Sequence, residues 1–172
     1  MTLGEIYNIF ICTVSYDDGF FYSKIKRGRG RRVLNVGDKI KGTVDSDGYL
    51  IVTFMKKPLK YHRAVFLYFN GYLPKNVDHI NGARSDNKIE NLRAATSQQN
   101  NMNRFASKNK RCKFKGVLRY KKTNKFAAVI KMNKKSIRLG VFNTEHDAHL
   151  AYEKKAKELF GEFYKNNSQN ND

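Results

Sequence analysis

The sequence predicts an α+β fold made of three consecutive segments, each with its own pattern of apolar and turn-forming residues. Residues 1–55 contain β-prone stretches separated by turn signals. Residues 56–104 follow the order helix, strand, loop, strand, helix, and residues 113–166 contain three β-prone stretches before one amphipathic helix. In a chain of 172 residues, these segments predict small packed cores instead of one large one.

The first segment is expected to be β-rich, because apolar and β-branched residues recur between short turns. The β-prone positions are Ile6, Ile9, Phe10, Ile11, Val14, Val33, Ile40, Val44 and residues 49–52. Turns are expected at residues 17–19, 36–38 and 45–48. A basic stretch at residues 24–32 lies among them, and its charge allows either a loop that contacts phosphate or the solvated tip of a hairpin.

The second segment begins with a helical pattern, in which the apolar residues share one helix face: Tyr61, Ala64, Val65, Tyr68 and Phe69. Gly71 and Pro74 are expected to end this helix. Two short strands are expected at residues 77–80 and 92–96, separated by a loop that contains the turn signal Asn81-Gly82. Ser97 is expected to cap a last helix over residues 98–104.

The third segment follows a basic linker at residues 105–112, which has almost nothing apolar to bury. Its strands are expected at residues 116–120, 126–132 and 136–142. Thr144 then begins a helix, with Asp147 at the capping-box position and Gly161 at the end. The apolar residues of this helix recur every three or four positions, so one helix face can pack across the sheet. Residues 167–172 form a polar tail.

The charge of the chain indicates its class of partner. Lysine and arginine number 34 against 15 aspartate and glutamate residues, which gives a formal net charge of +19. A protein this basic attracts polyanions, and nucleic acid is the first candidate. An anionic membrane is the second candidate, but the sequence has neither an apolar run of about 18 residues nor a basic amphipathic helix with a strong apolar face.

Cysteine content and the start of the chain favour a cytoplasmic protein. The first residues lack the basic start and small-residue cleavage site of a signal peptide. Cys12 and Cys112 are too few for a disulfide framework or a four-cysteine zinc site. No structural zinc is expected at His146 and His149 either, because no pattern of carboxylates or thiols accompanies them.

Residues 77–103 concentrate side chains that a hydrophobic core does not favour. Asp78 and His79 lie within an otherwise apolar strand, and asparagines follow at positions 81, 87, 91, 100, 101 and 103. Since asparagine and aspartate favour turns and caps, a loop-rich region without chemistry is one interpretation. The other is a catalytic site, because a strand that ended at His79 would present both polar side chains at one rim.

The spacing of these residues resembles the HNH nuclease motif, since Asn91 follows His79 by twelve residues and Asn100 follows Asn91 by nine. Residues 77–82, 86–87, 91–93 and 99–100 are similar to the homing nucleases of phage group-I introns, in which an asparagine replaces the last histidine. The resemblance covers residues 60–104 and implies a small ββα-metal nuclease core over residues 56–104.

This resemblance implies a role for each side chain of the set. His79 is the general base that deprotonates the attacking water, because an imidazole can be neutral near pH 7. Asp78 and Asn100 bind one Mg²⁺ or Mn²⁺ ion through a carboxylate and an amide oxygen. Asn91 is not a ligand, but hydrogen-bonds the loop backbone and holds His79 in position.

The sequence allows two roles for each of three neighbouring residues. His62 is a structural or helix-surface residue, or it is a ligand. Arg63 and Arg93 clamp DNA phosphates, or they are solvated charges.

Residues 104–138 contain fourteen lysine and arginine residues and no acidic residue. Each phosphate contact adds salt-dependent affinity, and the major groove of DNA admits a β-ribbon. Residues 113–166 resemble the APETALA or ethylene-response-factor type of DNA-binding domain at GVLRY, KFAAVIK and IRLGVFNTEHDAHLAY, although Phe126 stands where that family has tryptophan. The resemblance implies that double-stranded DNA is bound by Arg119, Lys121, Lys125, Lys131 and Arg138.

These features predict a metal-dependent HNH DNA endonuclease of the phage homing type, which nicks or cuts double-stranded DNA at a site chosen by the third segment. The alternative is a sequence-specific DNA-binding or regulatory protein with a vestigial nuclease domain. The intact set of Asp78, His79, Asn91 and Asn100 favours the enzyme, because a binding module has no use for it. The oligomeric state stays open, with a monomer favoured over a dimer that could cut both strands, and the expected location is the bacterial cytoplasm, with a phage as the source.

Overall fold

The computed structural model of the protein describes residues 2–29, 33–54, 57–103 and 112–164. These residues form mixed helix and strand structure with several small sheets, which agrees with the predicted α+β class. The chain divides into two compact units, residues 1–95 and residues 96–172. Residues 30–32 of the basic stretch, the predicted linker except Cys112, and the predicted tail lie outside the described residues.

The first unit combines helices with small antiparallel sheets. Helix α1 (Leu3–Thr13) precedes a hairpin of β1 (Val14–Asp17) and β2 (Phe20–Ser23). A sheet of β3 (Thr43–Val44), β4 (Leu50–Phe54) and β5 (Lys57–Lys60) leads into helix α2 (Tyr61–Asn70). Strands β6 (Asn76–His79) and β7 (Leu92–Ala95) then pair with each other, and the loop between them ends in a 3₁₀ turn (Ile89–Asn91).

Helix α1 shows that the prediction of strands was wrong at the start of the chain. The Thr2 hydroxyl accepts a hydrogen bond from the Glu5 amide, and the Glu5 carboxylate accepts one from the Thr2 amide. Phe10 is buried in edge-to-face contact with Phe21, whereas Ile9 is exposed. A capped start and burial on one face therefore outweigh the intrinsic β preference of these residues.

One hydrophobic core joins the N-terminal segment to α2, β6 and β7. It contains the buried residues Phe10, Val14, Phe21, Ile40, Val52, Tyr61, Ala64, Val65, Phe66, Val77 and Leu92. At its centre, the hydroxyl of the fully buried Tyr61 accepts a hydrogen bond from the Phe21 amide. Residues 2–29 and 33–54 therefore belong to the same unit as the strand that carries Asp78 and His79.

The predicted helix and strands around the polar loop are confirmed to within a residue. Helix α2 ends at Gly71, whose left-handed backbone (φ 71°) lets its amide bond the Leu67 carbonyl. The cap of the next helix, α3 (Ser97–Met102), is Thr96 instead of the predicted Ser97. Thr96 is the cap because Gln99 follows it by three residues. Each of the two side chains accepts a hydrogen bond from the backbone amide of the other residue.

The second unit contains the predicted three-stranded sheet with one packed helix. Strand β9 (Phe126–Met132) lies between β8 (Val117–Arg119) and β10 (Lys135–Phe142), and α4 (Glu145–Phe160) packs on one face. Thr144 caps α4 by accepting a hydrogen bond from the Asp147 amide, as predicted. Cys112 is buried in the core of this unit, although the sequence assigned it to the linker.

No helix among the described residues is both long enough and apolar enough to cross a membrane.

Candidate active site

The candidate site lies where β6 ends. In the register of β6 and β7, Asp78 is opposite Arg93 and His79 is opposite Leu92. The side chains of Asp78 and His79 are each only 5% exposed. Beyond His79 the chain turns, because the Gly82 amide donates to the His79 carbonyl at 2.9 Å. The strand thus ends at His79. This is the position at which Asp78 and His79 can both be presented at the end of the strand.

Asp78 has a positively charged neighbour inside the protein. Its Oδ2 atom lies 3.1 Å from Nε of Arg93, whose side chain is 13% exposed. A buried carboxylate needs such a partner, because removing an unpaired charge from water costs several kcal/mol. The ion pair compensates the burial of Asp78 and gives Arg93 a structural contact besides its predicted contact with DNA.

His79 is held by a hydrogen bond and by aromatic rings. Its Nε2 lies 3.1 Å from Oδ1 of Asn87, which is also buried. Burial lowers the pKa of His79 below its ordinary value, although the bond to Asn87 and the charge of Asp78 oppose this decrease. A lowered pKa keeps the ring uncharged at neutral pH, which is the state that a general base requires.

Asn91 ties the loop between β6 and β7 to the start of β7. Its Oδ1 accepts from the Asn81 amide at 2.8 Å, and its Nδ2 donates to the Asp86 carbonyl at 2.8 Å and to Asn81 Oδ1 at 2.9 Å. Its own carbonyl accepts from the Ile80 amide at 2.8 Å. These bonds restrain the chain that directly follows His79, and they are the contacts that a loop-bracing residue uses.

The N-terminal segment also contacts this loop. The Tyr16 hydroxyl accepts from the Ile89 amide at 3.0 Å and donates to the Asn87 carbonyl at 3.5 Å. Arg84 donates to the carbonyl of Asp47. Sequence reasoning missed these contacts and the bond between Asn87 and His79. Asn87 could have been found, since it belongs to the quoted motif, whereas no local pattern indicates Tyr16.

His62 packs directly on the predicted base. Its ring centroid lies 4.7 Å from that of His79 and 5.2 Å from that of Tyr49. Burial, together with a smaller contribution from the neighbouring His79, lowers the pKa of His62 to about 3. Its Nδ1 has no hydrogen-bond partner among the described residues. His62 is therefore a buried, uncharged ring at neutral pH, which excludes a helix-surface position.

Asn100 lies on α3 in the second unit. Its backbone amide donates to the Thr96 carbonyl at 3.0 Å, an ordinary helical bond. Within that unit, Met102 at the end of α3 accepts a contact from the Tyr152 hydroxyl at 3.9 Å. The first unit thus brings together Asp78, His79 and Asn91, and the role of Asn100 as a metal ligand stays a prediction.

Comparison with known proteins adds independent support. A family model described as HNH endonuclease matches residues 59–102, which include all four residues of the predicted set. The chain is also 32% identical over 156 residues to an uncharacterized HNH endonuclease of Acanthamoeba polyphaga mimivirus, covering 86% of this chain and 80% of the viral protein. The chain belongs to the HNH endonuclease family. No solved structure matches it.

HNH nucleases generally use divalent metal ions, and the two ligands predicted from the sequence are of a type that hard cations prefer. Among the described residues, no three or more His, Cys, Asp or Glu side chains are grouped so that they could hold a metal ion. The predicted ligands of this HNH protein, Asp78 and Asn100, are oxygen donors. Mg²⁺ is usually bound through one or two such groups while it keeps several waters.

The basic residues predicted beside the HNH site already have protein partners. Nη1 of Arg63 donates to the Lys75 carbonyl at 3.0 Å, and Arg93 contacts Asp78. A guanidinium group has five N–H donors, so the bond of Arg63 to the Lys75 carbonyl leaves other donors of Arg63 for a phosphate.

In the second unit of this HNH family member, strand alternation separates the predicted DNA-binding residues. Lys131 and Arg138 lie on the sheet face away from α4, because Ile130 faces the core from the alternate position of β9. Arg119 is opposite Phe126, which packs against the core. Arg119 therefore lies on the face towards α4, where it donates to Asn124 Oδ1 at 2.9 Å.

Lys121 and Lys125 are exposed in the connection between β8 and β9. They lie at one end of the sheet, so the predicted contacts do not form one continuous surface on a single face.

Proposed function

We propose that this protein is a metal-dependent DNA endonuclease of the homing type, which nicks or cuts double-stranded DNA. The observation that carries the proposal is the arrangement at the end of β6. There, a buried histidine follows a buried carboxylate, and Asn91 restrains the loop beyond them. Burying a charge beside polar rings costs stability, so this arrangement favours a chemical role over a purely structural one.

His79 is the proposed general base. Its lowered pKa leaves the imidazole uncharged at pH 7, with a lone pair that can accept a proton from water. The water oxygen then attacks the phosphorus of the scissile phosphodiester. A well-placed general base typically contributes about 10²–10⁴-fold to the rate.

Asp78 and Asn100 are the proposed ligands of a Mg²⁺ or Mn²⁺ ion. When bound, such an ion neutralises the phosphate and stabilises the leaving 3′ oxygen. Arg93 keeps the Asp78 carboxylate in place through their ion pair. Asn91 keeps the loop after His79 in place, and so keeps the imidazole at a constant distance from the metal ligand beside it.

The second unit is proposed to hold and select the DNA, as the resemblance to the ethylene-response-factor type implies. Lys131 and Arg138 project from the face away from α4, Arg119 lies on the opposite face on the edge strand β8, and Lys121 and Lys125 lie at one end of the sheet. Contacts to phosphates set affinity and register, whereas contacts to base edges select the sequence. Arg63 and Arg93 are proposed to contact phosphates close to the cut.

Conversion of supercoiled plasmid to open circles or linear DNA tests the proposed function. We expect conversion with Mg²⁺ or Mn²⁺, none with EDTA, and a loss of about 10²-fold or more in His79→Ala. His146→Ala is the matched control, because His146 is an exposed histidine outside the site.

The same assay distinguishes the alternative function. A regulatory protein with a vestigial nuclease domain would retard the plasmid in a gel, and leave it supercoiled with either metal. That result would remove the proposal of an enzyme.

A further inference from the structure

The hydrogen bond between His79 and Asn87 defines which nitrogen of the imidazole carries a proton. Nε2 of His79 lies 3.1 Å from Oδ1 of Asn87, and the two side chains are 5% and 3% exposed. The amide of Asn87 is itself oriented, because its Nδ2 donates to the Ser85 carbonyl at 3.2 Å. A reversed amide would place N–H groups against the ring and lose that bond.

An amide oxygen only accepts hydrogen bonds, so the imidazole must be the donor in this pair. Nε2 therefore carries the hydrogen, and in the uncharged ring the lone pair lies on Nδ1. The backbone beside Asn87 is restrained as well, because the Asn87 carbonyl accepts from the Tyr16 hydroxyl and the Lys88 amide bonds Asp86. The acceptor is thus held by the fold and does not depend on bound DNA.

We propose that Asn87 is a positioning residue, which holds His79 in the Nε2–H form and so makes Nδ1 the nitrogen that takes the proton from the attacking water. The second part of this statement rests on the proposed nuclease function. In that step one O–H bond of water breaks and an Nδ1–H bond forms. The ring becomes an imidazolium that keeps its bond to Asn87, and the oxygen retains the electron pair for its attack on phosphorus.

The first measurement is the tautomer itself, which needs no cleavage. Long-range ¹H–¹⁵N spectra of the full chain, labelled in histidine, separate a protonated ring nitrogen from one with a lone pair. At pH 7.5 without metal, we expect Nε2 of His79 to be protonated and Nδ1 to be unprotonated. Single His→Gln variants of the other three histidines give the assignment. A protonated Nδ1 with an unprotonated Nε2 in the unmodified protein overturns the proposal.

The second measurement compares two substitutions of Asn87 that differ in the acceptor. Asn87→Asp retains an oxygen acceptor, whereas Asn87→Leu has a similar size and none. We expect kcat for plasmid nicking to fall about 100-fold in Asn87→Leu and less than about tenfold in Asn87→Asp, with KM for DNA changed less than twofold in both. The Nε2–H resonance of His79 should stay visible in Asn87→Asp and exchange with water in Asn87→Leu.

A purely structural role gives a different result. Asn87→Leu would then lower the melting temperature without a larger loss of kcat than Asn87→Asp, and that outcome overturns the proposal. The two failures are also distinguishable. If the unmodified protein never nicks DNA, the proposed function fails, together with the assignment of Nδ1 as the base, whereas the Nε2–H spectrum still reports whether Asn87 holds the ring.

Discussion

Asn91 is the residue whose side chain connects the two ends of the loop between β6 and β7. Both its oxygen and its nitrogen are used, since Oδ1 accepts from the Asn81 amide and Nδ2 donates to the Asp86 carbonyl. An aspartate could replace the acceptor but not the donor, and an alanine could replace neither. The residue scale therefore predicts that no conservative substitution of Asn91 preserves the loop.

Asn91→Ala and Asn91→Asp should both lower the nicking rate, by about 10–100-fold, because the loop after His79 loses its restraint. The partners of Asn91 are exposed or part-buried, so each lost bond should cost about 0.5–1.5 kcal/mol of unfolding free energy. Nicking kinetics and urea unfolding measure the two effects. Asn70→Ala is the control, because Asn70 also bonds a backbone carbonyl, that of Phe66, but lies outside the loop. Equal rates in Asn91→Ala and Asn70→Ala would contradict the account.

His62 predicts how stability depends on pH. Its pKa is about 3 in the folded protein against an ordinary 6.5. Between these values the unfolded chain binds a proton that the folded protein does not, so the free energy of unfolding falls as pH falls below about 6.5. The lowered pKa of His79 acts in the same direction. One such group contributes at most about 1.4 kcal/mol per pH unit.

Urea unfolding at pH 5, 6 and 7 in EDTA checks this dependence. The decrease in stability on acidification should be smaller in His62→Gln than in the unmodified protein. His146→Gln, at an exposed histidine, should leave it unchanged. An identical dependence in all three proteins would show that His62 is not held uncharged.

At the scale of secondary-structure elements, the sequence predicted what local patterns determine. Helices α2 and α4 and strands β6 to β10 have regular apolar spacing and clear caps or turns, and each was found close to its predicted position. Helix α1 was missed because its isoleucines favour strands locally, whereas the capping box of Thr2 and the burial of Phe10 favour a helix. The contacts of Tyr16 and His62 join distant parts of the chain, and no spacing rule reveals them.

The element scale gives a test at the start of β8. Gly116 has a φ of 76°, and a Cβ added there would collide with the ring of Tyr152 on α4. Gly116→Ala therefore combines a left-handed backbone, which costs about 1–2 kcal/mol, with a packing clash in the core of the second unit.

Gly161→Ala is the matched control, because Gly161 has a φ of 48° and nothing lies within 4 Å of an added Cβ. Thermal unfolding should show a clearly larger loss of stability for Gly116→Ala. Equal losses would mean that the contact between β8 and α4 is not as close as described.

At the scale of the whole molecule, the proposed base His79 lies in a different unit from the most basic stretch of the chain. Asp78, His79 and Asn91 belong to residues 1–95, whereas the proposed ligand Asn100 and the acid-free basic stretch from Arg104 to Arg138 belong to residues 96–172. The N-terminal segment contacts the loop between β6 and β7 through Tyr16, and its apolar residues belong to the same core as those of β6 and β7. Catalysis and DNA affinity should therefore respond to different substitutions.

Lys131→Gln should weaken binding to double-stranded DNA and reduce the slope of log affinity against log salt by about 1, the loss of one phosphate contact. Lys154→Gln removes the same charge from the exposed surface of α4 and is the control. Binding measured by fluorescence anisotropy across a salt series separates the two. The same slope in both variants would exclude a special role for the sheet face.

His79 is proposed to perform chemistry on DNA that the protein binds through other residues. Single-turnover strand scission and DNA affinity, measured in Mg²⁺ on the same labelled duplex for the unmodified protein and His79→Ala, separate these two roles. We expect affinities within about twofold of each other and a scission rate at least about 100-fold lower in His79→Ala. Equal scission rates, or binding without scission by the unmodified protein, would exclude His79 as the base.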